Sequence, residues 1–174
     1  MALGQMRKVR KITGHMRDAK WKIREAIKGI PGISFREVGD PAGDTGPFLM
    51  TIYPTADICQ RFTAALQAEG VRGPEGSLTC VPMRDWGMHW YFNIPSLVNK
   101  RSNARDGFPW THPSNAFAAG YSYARGALPV CDDMSERGAL LSIASVLTDQ
   151  DVDDIIAAFK KVGNAFASRP EAAR

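Results

Sequence analysis

The stretch Met1-Ala-Leu-Gly-Gln-Met-Arg-Lys-Val-Arg10, continuing through His15-Met-Arg-Asp-Ala-Lys-Trp21 to Ile30-Pro31-Gly32, decides how the chain is read. Apolar residues recur at Leu3, Met6, Val9, Ile12, Met16, Ala19, Ile23, Ile27 and Ile30. Steps of three and four place them along one stripe of a long helix, predicted over residues 1–30. Pro31 removes a donor and Gly32 frees the backbone, so the helix stops there. Nine cations (Arg7, Lys8, Arg10, Lys11, Arg17, Lys20, Lys22, Arg24, Lys28) face two acids, Asp18 and Glu25, giving this stretch +7. The whole chain is +4, which leaves −3 for residues 31–174. No cap residue precedes the stripe, although helices commonly open on Ser, Thr or Asp. The expectation drawn from that start is a chain cut inside an element.

Working outward, 174 residues with 44% apolar content suit one globular domain with its own core. No run approaches the roughly 18 apolar residues of a membrane span, and no signal-peptide pattern opens the chain. A cytoplasmic protein without membrane contact is expected. Cys59, Cys80 and Cys131 are scattered, and His15, His89 and His112 are isolated. That spacing favours buried, reduced thiols and no metal site.

Ile33-Ser-Phe-Arg-Glu-Val38 alternates like a half-buried strand, and Phe48-Leu-Met-Thr-Ile-Tyr53 is apolar enough for a more buried one. The two can pair as a hairpin around the glycine-rich loop Gly39–Pro47. Thr55 can cap a helix with Ile58, Phe62, Ala65 and Leu66 on its apolar face, closed by Gly70. Strands are expected at Ser77–Val81 and Gly87–Ile94. Residues 96–130 read as an irregular but packed excursion around Phe108, Trp110, Tyr121 and Tyr123. A short helix at Cys131–Arg137 and a strand at Ala139–Ile143 follow. The last helix opens on a capping box, Thr148 with Asp151 in place of the preferred Glu. The fold class is α+β: a small, largely antiparallel sheet with helices on one side, preceded by a long bridging helix.

Catalytic signatures are mostly missing. The sequence has no GxGxxG, GxxxxGK[ST], GxSxG or HExxH. The Asp132-Asp133 and Asp149/Asp151/Asp153/Asp154 clusters sit at helix starts, where acids oppose the helix dipole, so capping is favoured over acid–base work. As a strand, 87–94 would put His89, Tyr91 and Asn93 on one polar face, which could line a cleft. A half-solvated edge explains the same pattern and is favoured.

Several segments, in order, resemble the C-terminal part of the DegT/DnrJ/StrS aminotransferases, pyridoxal-phosphate (PLP) enzymes of fold type I. Ala2-Leu-Gly-Gln-Met-Arg-Lys-Val9 is similar to that family's A-L-x-Q-L-x-K-L helix. Lys28-Gly-Ile-Pro-Gly-Ile33 stands where a G-I precedes the first small-domain strand, and Phe62-Thr-Ala-Ala-Leu-Gln-Ala-Glu-Gly-Val71 resembles F-x-x-x-L-x-x-E-G-I. Leu128–Arg137, Leu141-Ser-Ile143 and Leu147-Thr-Asp-Gln-Asp-Val-Asp-Asp-Ile155 follow the order of C-P-x-x-E-x-x-x-R, a strand and L-T-x-x-D-V-x-x-I.

The resemblance implies a bridging helix (1–30), an aminotransferase small domain (31–168) and a tail (169–174). It implies amino transfer to a keto-sugar or related carbonyl in a homodimeric full enzyme. The missing large catalytic domain, or a companion chain, would carry the Schiff-base lysine, so no tight PLP binding and no catalytic residue are expected in this chain. None of its lysines (8, 11, 20, 22, 28, 100, 160, 161) matches the family's Schiff-base motif. His89, Tyr91 and Asn93 are the candidate substrate contacts, although the family places its histidine later than His89, and the 96–130 excursion is longer than the pattern. Two other readings stay open. One is a stand-alone polyanion or nucleic-acid module using the basic helix, disfavoured by the strict apolar stripe and the lack of a nucleic-acid motif. The other is a structural fragment whose stripe adheres to partners.

Overall fold

A computed structural model describes residues 2–87 and 90–168. The chain divides into two compact units, Met1–Met83 with Glu136–Arg174, and Arg84–Ser135.

The first unit is built on helix α1 (Ala2–Ile27), which ends slightly before the predicted Ile30. Strand β1 (Ser34–Phe35) and strand β2 (Phe48–Ile52) form the expected antiparallel hairpin. Helix α2 (Ala56–Ala68) is capped by Thr55, whose Oγ1 accepts the Ile58 N–H at 3.2 Å. Strand β3 is only Cys80–Pro82. Strand β4 (Gly138–Ser142) pairs antiparallel with both β2 and β3, giving the order β1-β2-β4-β3. The last long helix (Asp149–Ala167) closes the unit, and its capping box forms as the sequence predicts: Thr148 and Asp151 each bond the other's backbone N–H.

Strand alternation sorts the sheet. Leu49, Tyr53, Ala139, Leu141, Ile143 and Cys80 share one face and enter the core cluster. Met50 and Leu140, half a register away, lie outside that cluster. Onto the inner face come Ile23 and Ile27 of α1, Phe62 and Leu66 of α2, and Phe159 of the last helix. Phe62 is the hub: its ring lies 5.0 Å from Tyr53, 6.1 Å from Phe159 and 5.1 Å from Phe166. Each such buried side chain contributes about 1.5–3 kcal/mol of transfer energy. Gly163 lets the turn after α1 approach, since a Cβ there would sit 2.5 Å from Ile30 Cγ2.

The glycine-rich loop is not a bare connection. It is fastened to α1. Arg17 Nη1 donates to the Ala42 carbonyl at 2.8 Å, and Lys20 Nζ meets Asp44 Oδ2 at 2.5 Å. Both side chains of that pair are buried, 4% and 10% exposed. Gly46 adopts φ +76° against the helix backbone, where a Cβ would come within 2.3 Å of Arg17 N. The N–H groups of Ala42 and Gly46 bond Asp40 and Asp44 within the loop, so these amides serve the loop's own turns.

In the second unit, the described residues contain a one-turn 3₁₀ helix at Tyr91–Asn93, helix α3 (Pro95–Val98) and a 3₁₀ segment at Pro113–Gly120. Helix α4 (Pro129–Arg137) starts in this unit and covers the predicted Cys131–Arg137. The excursion is packed in part: Trp110 is buried, donates Nε1–H to the Arg101 carbonyl and meets Tyr123 edge-on at 5.6 Å, whereas Phe108 and Tyr121, expected in the same packing, are exposed.

Candidate functional site

The polar face expected for His89, Tyr91 and Asn93 presupposes a strand, and the structure corrects that premise. His89 lies outside the described residues. Over Tyr91–Asn93 the backbone is 3₁₀, closed by Asn93 N–H to the Trp90 carbonyl at 2.9 Å. With three residues per turn, side chains two apart diverge instead of sharing a face. Sheet pairing has already ended at β3, whose last residue, Pro82, has no N–H to extend a ladder.

Tyr91 and Asn93 therefore do different things. The Tyr91 hydroxyl donates to the Asp132 carboxylate, 2.9 Å from Oδ1 and 3.0 Å from Oδ2, and accepts the Leu128 N–H at 3.2 Å. Gly126 N–H donates to Asp132 Oδ2 at 2.8 Å. The group is thus a clasp for the turn entering α4. Desolvation raises the Tyr91 pKa above its ordinary value, opposed by the Leu128 N–H and reinforced by Asp132. Asn93 Nδ2 bonds the Gly87 carbonyl at 2.8 Å. Around them, Trp90 stacks with Phe92 at 6.4 Å, and the Arg125 guanidinium lies 4.9 Å from the Phe92 ring.

Among the described residues, the concavities of the first unit include two that local sequence patterns do not announce. One, about 450 Å³, is lined by Glu69, Arg72, Thr79, Ser142, Asp151 and Asp154 among others. The other, about 820 Å³, lies between Lys8, Lys11 and His15 of α1 and the turn Ser145–Leu147. His15 Nε2 bonds the Leu147 carbonyl at 2.7 Å, so a histidine that looks isolated in sequence is held by a residue 132 positions away. Among the described residues, no group of three or more His, Cys, Asp or Glu side chains could hold a metal, and no helix is long and apolar enough to cross a membrane.

The lysines do not fit a Schiff-base role. The one buried lysine, Lys20, is paired with Asp44. Lys22, Lys28 and Lys161 bond Asp153, Glu25 and Glu69, and Lys100 Nζ donates to the Ala119 carbonyl. Lys8, Lys11 and Lys160 are exposed. A lysine that condenses with a carbonyl must reach its neutral amine, and the desolvated one, Lys20, is instead held as an ammonium against Asp44.

No family model matches the sequence. Solved structures do match in fold. An aminotransferase, TlmJ from Streptoalloteichus hindustanus, superposes on 94% of this chain with a TM-score of 0.61 at 14% identity. A DegT DnrJ EryC1 StrS aminotransferase from Brucella abortus superposes on 91% with a TM-score of 0.54 at 17% identity. This chain spans 35% and 33% of those two chains. It has the fold of about a third of an aminotransferase chain, an α+β unit with a small antiparallel sheet and packed helices.

Proposed function

We propose that this chain is the C-terminal portion of a PLP-dependent aminotransferase that moves an amino group, from a donor such as glutamate, to a keto-sugar or related carbonyl. The carrying observation is the fold match over nearly the whole chain against only a third of each neighbour. The ordered DegT/DnrJ/StrS-like motifs and the half-covered bridging helix support it. In this reading residues 1–30 bridge two domains, 31–168 form the small domain and 169–174 are a tail. The full enzyme is a cytoplasmic homodimer.

In this reading the chain's lysines do not anchor the cofactor, since the buried Lys20 is tied as an ammonium to Asp44. The Schiff-base lysine and the transfer chemistry then belong to a large domain or companion chain. This chain's part is to cover the substrate. We assign His89, Tyr91 and Asn93 to that surface, with Tyr91 also shaping the Gly126–Asp132 turn. The test is to mix the purified chain with PLP and follow imine absorbance and amino transfer. Neither should develop. An imine band that survives dialysis, or turnover by the chain alone, would overturn the assignment.

A further inference from the structure

Away from α1, whose exposed Leu3, Met6 and Val9 belong to the bridging role proposed above, the first unit holds a cavity of about 450 Å³. That volume lies within the roughly 300–1,000 Å³ of small-molecule sites. Three parts of the fold line it. The segment after α2 supplies Val71 and Arg72, the sheet supplies Leu141, and the first two turns of the last helix supply Asp151, Asp154 and Ile155. Val71 and Leu141 are buried, and Ile155 and the nearby Leu147 are half-buried, so the enclosed part of the lining is aliphatic.

The charged groups around it carry both signs. The Arg72 guanidinium has no acceptor among the described residues. Asp154 Oδ1 accepts from Gln150, and Asp151 Oδ2 accepts from Thr148, which leaves Asp154 Oδ2 and Asp151 Oδ1 without a described donor. Glu69 is engaged by Lys161. The hydroxyls of Thr79 and Ser142 are bonded within the fold, to Ser77 and to the Leu78 carbonyl. We propose that this cavity binds a free α-amino acid with an aliphatic side chain. Arg72 takes the carboxylate, a pairing its planar donor fork suits. Asp154 takes the ammonium, with Asp151 beside it. The aliphatic side chain lies against Leu141, Leu147 and Ile155.

The same lining weighs against other small ligands. A dicarboxylate or a phosphate ester would meet the like charges of Asp151 and Asp154. A simple alkylamine would leave the guanidinium unpaired. A carbohydrate would set its hydroxyls against aliphatic groups, with the nearby hydroxyls already bonded in the fold. A zwitterion with an apolar body meets both kinds of free charge and the aliphatic lining at once. The inference stands apart from the transferase reading. No lysine lines this cavity, so the PLP test can give either result while the amino acid still binds.

The experiment uses the full chain without PLP and L-leucine as the probe, with binding followed by ligand-observed NMR titration. Three analogues each lack one feature: isoamylamine the carboxylate, isocaproate the ammonium and glycine the side chain. Leucine should bind, and each analogue should bind about tenfold or more weakly than leucine. Arg72→Gln should weaken leucine to the level of isoamylamine, and Asp154→Asn should weaken it to the level of isocaproate. Both positions are exposed, so circular dichroism should report unchanged helix content. The analogue series on the wild-type chain tests the same claim without any substitution. Any of three results overturns the inference. These are no binding of leucine, an analogue that binds as tightly as leucine, and leucine binding that either variant leaves unchanged.

Discussion

Replacing Asp44 with Ala would leave the Lys20 ammonium buried without its partner. At 2.5 Å and an effective dielectric constant near 20, the pair's gross attraction is about 7 kcal/mol. Desolvation of both ions takes back much of that, and breaking one partner of such a buried pair costs about 3–5 kcal/mol. The Gly46 N–H also loses its acceptor, which places the expected loss toward the upper part of that range. The assay is urea unfolding of the full chain, with the midpoint shifting and the slope unchanged. The double variant Lys20→Met/Asp44→Leu removes both charges and should recover part of the loss. A single-variant cost below about 1 kcal/mol, or a double variant worse than the single, would refute the claim that this pair holds the loop to α1. Acid offers a second readout. Burial pushes the Asp44 pKa up, but the Lys20 ammonium and the Gly46 N–H outweigh it, so it lies below its ordinary value. The stabilisation is then complete above the unfolded pKa of about 4, and wild type loses it as pH falls through the lower folded value. Asp44→Ala should show a shallower acid limb.

Other consequences follow from neighbouring features. Gly46→Ala must place a Cβ within 2.3 Å of the α1 backbone at φ +76°, so about 2–4 kcal/mol should be lost in thermal or urea unfolding. Thr148→Ala removes the capping box of the last helix and should cost about 1 kcal/mol by the same assay. Burial pushes the Cys80 thiol up to about 12, and Cys59 is also buried, whereas Cys131 is only half-buried. Iodoacetamide at neutral pH should label Cys131 first and reach the other two only on unfolding, as mass spectrometry of the peptides would show.

Where one element supplies its own signal, the sequence reading holds. The stripe from Met16 to Ile27, the Thr55 cap and the Thr148/Asp151 box each lie within a few residues of the structure they specify. The strand run Phe48–Ile52 and its hairpin partner, shortened to Ser34–Phe35, are equally readable, because continuous apolar residues at that length have few other uses. The candidate site was less legible. Alternation suggests a strand, yet over the described Tyr91–Asn93 the backbone is 3₁₀, since a ladder needs a free edge and that depends on pairing set elsewhere in the chain. The clasp between Tyr91 and Asp132 spans 41 positions and the fastening of the loop to α1 spans 24, so no local window contains both partners. Nor does periodicity say that α1 changes environment halfway along. The stripe looks the same whether the chain or another molecule covers it.

The strand order also bears on how the chain is made. β4, near the end of the sequence, lies between β2 and β3, so neither of these earlier strands meets its central neighbour until residue 138 and beyond have been synthesised. Until then α1, the β1–β2 hairpin and α2 have emerged from the ribosome with one strand edge open. Pairings of such sequence separation make for slow folding, and the nascent hairpin must stay unaggregated through the translation of more than eighty further residues.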